Sequence, residues 1–261
     1  MTLKNRLLIT LFIVGMVPVT VISMVSVNQA KHAIEQKAFA HLQATKALKK
    51  QSVERYLGVI SDQISSMSRA EGTIQALRDF TRGYSRYASD SAPAGQPSTA
   101  SLENYYAQHF QPAYREATRG QDINLQRLWQ PLDDNSVALQ AAYLANNPHP
   151  LGEKDKLQAS PSGHPYDRAH IQWHPFYQDY LKRFGYYDIF LISADGGNIV
   201  YSVFKEIDYA TSLESGPYSE SGLALAYRKA MELSPDSAPA LIDFSAYLPS
   251  YDAPAGFLSL I

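Results

Sequence analysis

The sequence predicts an α+β protein behind a membrane-embedded N-terminal helix. Three observations carry that prediction. An uncharged apolar run lies near the start, a long proline-free stretch with helical spacing follows it, and two apolar runs later flank a turn made of Asp195, Gly196, Gly197 and Asn198.

The apolar run is Leu7 to Val27, "LLITLFIVGMVPVTVISMVSV". At 1.5 Å rise per residue such a run is about long enough to span a bilayer core, and Pro18 is tolerable inside a spanning helix. Lys4 and Arg6 precede it, so residues 1–6 are expected to stay cytoplasmic and the body to be exported. The alternative is a cleavable signal peptide cut after Ala30. Asn28 then falls three residues before the cut, where a small residue is preferred, and the apolar run exceeds a usual signal core.

Residues 28–84 read as one long periplasmic stalk helix. Val53, Leu57, Ile60, Ile64 and Met67 recur at alternating steps of four and three, and Ile74 continues the phase, a narrow heptad-like stripe. The stripe suits either the seam of a homodimer or packing on the protein's own body. Residues 85–101 include "SDSAPAGQPSTAS" and are expected to be a loop. From residue 102 to 261 the pattern is that of one sensing unit. "LENYYAQHFQPAYREAT" has helical spacing, and "PLDDNSVALQAAYLANNPHPLG" holds a short strand or helix through Val137 to Leu144. "PYDRAHIQWHPFYQDYLKRFG" is a helix ending at a glycine suited to a C-terminal cap. The hairpin "YYDIFLISADGGNIVYSVFKE" follows, with both faces apolar and therefore both covered, one of them by the long helix. A further helix near Gly222 to Glu232 precedes two short apolar runs around a proline-containing turn. The last run, "GFLSLI", stops as a strand would be starting, which suggests a truncated sheet whose remaining strands lie further on.

Charge is unevenly spread. The formal net charge is -2, but residues through Arg82 sum to +6 and the remainder to -8. A basic stalk with an acidic body suits a domain held just outside an anionic membrane, and nothing here points to nucleic acid. The absence of cysteine excludes disulfides, thiol nucleophiles and thiolate metal ligands. No phosphate loop is present near "GEKDK", no GxSxG occurs, and Asp133-Asp134 lies in turn-like sequence, so no enzymatic activity and no cofactor are expected. His170 and His174 sit four apart with Asp167 one turn before. Pro175 disfavours helical geometry at His174, however, and no HExxH glutamate is present, so no metal site is expected.

The runs "YLANNPHPLGEKDKL", "HPFYQDYLKRFGYYDIFLI", "ADGGNIVYSVFKEIDYATSLESGPYSESGLA" and "DFSAYLPSYDAPAGFLSLI" resemble the extracytoplasmic, PAS-like Cache sensor of bacterial methyl-accepting chemotaxis proteins. The resemblance covers roughly the C-terminal half. It implies an antiparallel sensor sheet with flanking helices in the periplasm, anchored in the inner membrane. It also implies a small-molecule ligand and a downstream signalling domain that is not in this chain. In such sensors the ligand lies between the sheet and the segments crossing it. That pairs Tyr201, Lys205 and Asp208 at the end of the hairpin with Asp243, Tyr247 and Tyr251 as the ligand-binding set, although a tyrosine-rich core accounts for the same residues. The alternatives are a sensor module of a transmembrane histidine kinase or nucleotide cyclase, and an anchored structural protein without a ligand.

Overall fold

A computed structural model describes residues 2–91, 99–234 and 236–261. It is a mixed α+β protein in two compact units, one ending at Ile60 and the other Ser61–Ile261. Helix α1, Leu3–Ser68, makes up the described part of the first unit and continues into the second. Its apolar segment is long and apolar enough to cross a membrane, and every side chain in it is exposed. Thr10 and Thr20 donate their hydroxyls to the Arg6 and Met16 carbonyls one turn back, at 2.9 and 3.0 Å, which lets polar side chains sit within an apolar helix. Pro18 lies inside the helix without ending it.

The expected single helix across residues 28–84 is broken. α1 ends at Ser68, Ala70 is extended (φ -66°, ψ 131°), and α2, Glu71–Tyr84, starts afresh. The serines of "SSMS" explain the stop. Ser65 and Ser68 turn their hydroxyls onto the Ser61 and Ser65 carbonyls, competing with the backbone where Gly72 follows closely. The break also ends the heptad phase, since Met67 packs on the core while Ile74 is 41 % exposed. The loop expected over 85–101 is partly helical as well. α3 is Tyr87–Ser91 and α4 starts at Ala100, while residues 92–98 lie outside the described residues.

α4, Ala100–Tyr105, runs through a π turn, Tyr106–Phe110, into α5, Gln111–Ala117. After the short α6, Gln126–Trp129, α7, Asp134–Gln140, begins where Asp133 accepts from the Ser136 N–H at 2.7 Å, and it ends in a second π turn, Ala141–Ala145. So Val137 to Leu144 is helical, not a strand. α8, Pro165–Phe184, is opened by His164, whose Nδ1 accepts the Tyr166 N–H at 3.0 Å, and by Asp167, whose carboxylate accepts the His164 N–H at 3.0 Å, and it is closed by Gly185 at φ 72°. It passes through Pro175 without interruption. The helical geometry that this proline was expected to disfavour at His174 is therefore present, and the His170 and His174 rings stack at 4.3 Å.

β1, Phe190–Ile192, pairs antiparallel with β2, Ile199–Ser202, across a turn in which Gly196 and Gly197 take positive φ. All four β2 residues are buried. One cover is α2, whose Phe80 ring stacks on Tyr201 at 4.7 Å. α2 also crosses α8 closely, for a Cβ on Gly83 would lie 2.8 Å from the Tyr166 Cα. α9, Gly222–Met231, packs on a second hairpin of β3, Ala240–Tyr247, and β4, Ala253–Ser259. The described strands therefore form two separate two-stranded antiparallel sheets. "GFLSLI" is not the start of an unpaired strand. Gly256–Ser259 is the second half of β4, running back along β3 with Ser259 opposite Ala240.

Candidate functional site

A small, partly open cavity of about 20 Å³ lies between the segment leaving the first hairpin and the turn of the second, within the Ser61–Ile261 unit. Its walls come from four places: the π turn, the loop before residue 156, the segment leaving β2, and the turn joining β3 to β4.

The segment leaving β2 supplies Lys205 and Glu206. Lys205 takes a left-handed backbone (φ 55°), unusual for a side-chain-bearing residue, and the Ser202 hydroxyl accepts its N–H at 3.1 Å. Its side chain is 1 % exposed, and Nζ donates to the Ser202 and Val203 carbonyls at 3.2 and 3.0 Å. Burial lowers the ammonium to about 7, against the partial support of the Asp188 and Asp155 charges. Asp188 Oδ1 itself accepts the Ile189 and Val203 N–H groups at 2.7 and 2.9 Å. Burial, followed by the Asp208 charge, holds its carboxyl well above the usual carboxylate range despite those bonds. Glu206 accepts from Tyr187 and Ser250 at 2.7 and 2.9 Å, and burial followed by the nearby Asp208 raises it to about 7.

Lys154 comes from a 3-10 turn, Lys154–Lys156. It is 5 % exposed, donates to the Asn147 carbonyl at 3.0 Å, and lies 5.3 Å from the Tyr105 ring centroid. Asn147 returns a bond from its side-chain amide to the Lys154 carbonyl at 3.0 Å, so the two residues fix each other. Burial lowers the Lys154 ammonium. Tyr251 and Asp252 are both left-handed (φ 57° and 60°), which tightens the β3–β4 turn and lays Tyr251 on Phe110 at 5.6 Å. Tyr114 holds the same turn by donating to Asp252 at 2.6 Å.

The six residues expected to bind a ligand are dispersed. Lys205 and Tyr251 line the cavity. Asp208 and Tyr247 are buried and bonded to each other, latching the second hairpin to the segment leaving β2, and Asp208 Oδ1 has no hydrogen-bond partner among the described residues. Burial raises the Asp208 carboxyl to about 6. Tyr201 packs behind the wall, fully buried, with its hydroxyl on His174. His174 Nε2 faces the Asp155 carbonyl at 2.7 Å, which only accepts, so that nitrogen carries the proton and Nδ1 takes the Tyr201 hydroxyl at 2.7 Å. Burial holds His174 neutral at about 3. Asp243 is exposed. It falls in a register break between Ile242 and Ser245, its carboxylate accepts the Phe244 N–H at 2.7 Å, and it is not among the cavity-lining residues.

The residues missed from sequence were Lys154, Glu206, Tyr105 and Phe110. "GEKDK" lacks the glycine and Lys-Ser/Thr pattern of a phosphate loop, and a lysine beside "NNPHP" carries no periodic sign of burial. The π turn that buries Tyr105, Tyr106 and Phe110 together is likewise invisible to helical spacing. No family model, curated protein sequence or solved structure matches the chain.

Proposed function

We propose that the chain is the anchored, ligand-sensing region of a transmembrane chemoreceptor, a methyl-accepting chemotaxis protein whose PAS-like Cache unit lies in the periplasm. The observation that carries this reading is the cavity between two hairpins. Two buried lysines, one half-buried glutamate and stacked aromatic rings converge there, in a chain with a membrane-compatible helix near its N-terminus. The cavity is small, about 20 Å³, so a ligand larger than about one or two waters enters only if its walls part. The ligand's differential affinity for the open and closed arrangements is then the signal, and α1 is the covalent route by which it leaves the unit. The exposed Val53 fits a seam between two copies of the stalk. A histidine kinase or nucleotide cyclase output is the second reading, and the coding sequence after Ile261 separates the two.

The test is thermal unfolding of the full chain in detergent with small carboxylates and amines. A ligand at about 100 times its Kd stabilises by about 2.7 kcal/mol, or roughly 5–10 °C for a unit of this size. Lys154→Met and Tyr251→Ala should abolish the shift, and the exposed Asp243→Ala should keep it. A shift that survives both cavity changes, or no shift with any ligand, overturns the assignment.

A further inference from the structure

We propose that a second cleft, between α2 and α8, binds the phosphate of a small phosphate monoester through Arg82 and Arg168. It encloses about 210 Å³ within the Ser61–Ile261 unit and shares no residue with the lysine-lined cavity. Its walls are Asp79 and Arg82 of α2 and Pro165, Arg168, Ala169 and Gln172 of α8. On each helix these positions recur at steps of one, three or four, so each set lies on one face and the two faces confront each other. Ala169 is buried and small, which sinks the floor between Arg168 and Gln172. The walls are held in place from both helices. Gly83 brings α2 so close that a Cβ there would lie 2.8 Å from the Tyr166 Cα, and Trp173 Nε1 donates across the crossing to Asp79 Oδ2 at 3.1 Å.

The donors facing this cleft are unspent. The Ser61–Ile261 unit carries 15 basic and 23 acidic residues, and Arg115 and Arg183 pair with Asp122 and Asp179. Among the described residues, no carboxylate lies within ion-pair distance of Arg82 or Arg168. Asp79 lines the same cleft, yet its oxygens accept from Trp173 and from Gln75 Nε2, the latter at 2.8 Å. Arg168 gives Nη1 to the Gly163 carbonyl at 2.6 Å, which steadies its guanidinium and leaves the outer N–H groups for a ligand. Arg82 and the Gln172 amide have no side-chain partner among the described residues.

Two guanidiniums on facing helices match a dianion. Each planar fork donates a pair of N–H bonds to an edge of two oxygens, and a tetrahedral phosphate offers such an edge to each fork at once, whereas a carboxylate has one. Volume and Asp79 define the rest of the ligand. A cavity of about 150 Å³ takes a six-carbon ring, so this cleft has room for a short organic group beside the phosphate. The Asp79 oxygens keep lone pairs that accept a hydroxyl and repel a second anion, which favours a polyol as that group. Both arginines reach solvent, so the ligand enters without a change of fold. The site goes beyond the receptor assignment and does not depend on it.

The experiment is isothermal titration calorimetry of the full chain in detergent, with glycerol 3-phosphate, inorganic phosphate, glycerol and succinate as probes. Glycerol 3-phosphate should bind one-to-one, inorganic phosphate should compete more weakly, and glycerol and succinate should give no saturable heat. Arg82→Gln and Arg168→Gln should each weaken glycerol 3-phosphate about tenfold or more, because each removes one charged fork. Both side chains are exposed, so both variants should keep the unliganded unfolding temperature to within a few degrees. Lys154→Met should leave the binding unchanged. No saturable binding of glycerol 3-phosphate, or binding that survives both arginine changes, overturns the site. Succinate binding as tightly overturns the choice of phosphate, and inorganic phosphate binding as tightly overturns the ester. Glycerol 3-phosphate binding that is lost in Lys154→Met and kept in the arginine variants belongs to the sensor cavity and also overturns the proposal.

Discussion

Lys205→Met removes a group whose ionisation the fold opposes, and its effect is predicted from linkage. Folding lowers the ammonium from 10.5 to about 7. Between those values the unfolded chain holds a proton that the folded chain has released, so the wild type gains stability as pH rises. Below about pH 7 both states are protonated and the full cost of burying the ammonium is present. One proton corresponds to about 1.4 kcal/mol per pH unit, so from about pH 7.5 to 9 the wild type should gain about 2 kcal/mol over Lys205→Met. For a unit of this size that is a relative change in Tm of about 4–8 °C. The double difference is the informative quantity. At any single pH the variant also leaves the Ser202 and Val203 carbonyls without the Nζ donor, a cost that does not vary with pH. Other titrating groups are common to both proteins and cancel, and stopping near pH 9 stays below ordinary tyrosine ionisation. The assay is thermal unfolding by circular dichroism at the two pH values. Parallel shifts in the two proteins would refute a neutral, buried Lys205.

Two further changes test the packing and the carboxylate on the cavity wall. Gly83→Ala places a Cβ 2.8–3.0 Å from the backbone and Cβ of Tyr166, so α2 and α8 must separate; a loss of about 1–3 kcal/mol is expected despite alanine's better helix propensity, and an unchanged or raised Tm would contradict the close crossing. Glu206, raised from 4.5 to about 7, contributes stability that is full below about pH 4.5 and lost as pH rises to about 7, so Glu206→Gln should flatten the acid side of the stability curve by about 2–3 kcal/mol, read as Tm against pH, and an unchanged slope would place the carboxyl in water.

Much of the local structure was legible because it depends on local chemistry. Gly185 at the end of α8 and the paired glycines of the β1–β2 turn occupy the positive-φ positions their sequence suggests. The doubly covered β2 followed from its unbroken apolar character. Failures came where side chains compete with the backbone or the register slips. Serine hydroxyls ended α1 before residue 70, and Asp243, a proposed ligand contact, is exposed at a register break and does not line the cavity. Pro175 misled in the opposite direction, because α8 accommodates it and keeps His170 and His174 on one face.

The sequence by itself determined the membrane-compatible helix, the α+β class, the helix α8 and the first hairpin, since each rests on a hydrophobic period or a turn requirement within a few residues, whereas the pairing of β3 with β4 emerged only in the fold. Only the tertiary structure decided which ionisable groups lose water. Lys154, Lys205, Glu206 and Asp208 are polar in any sequence scale, and Lys154 reaches the others from about fifty residues away along the chain. Burial there is imposed by two hairpins and a π turn closing on one point, a long-range arrangement with no local period to announce it.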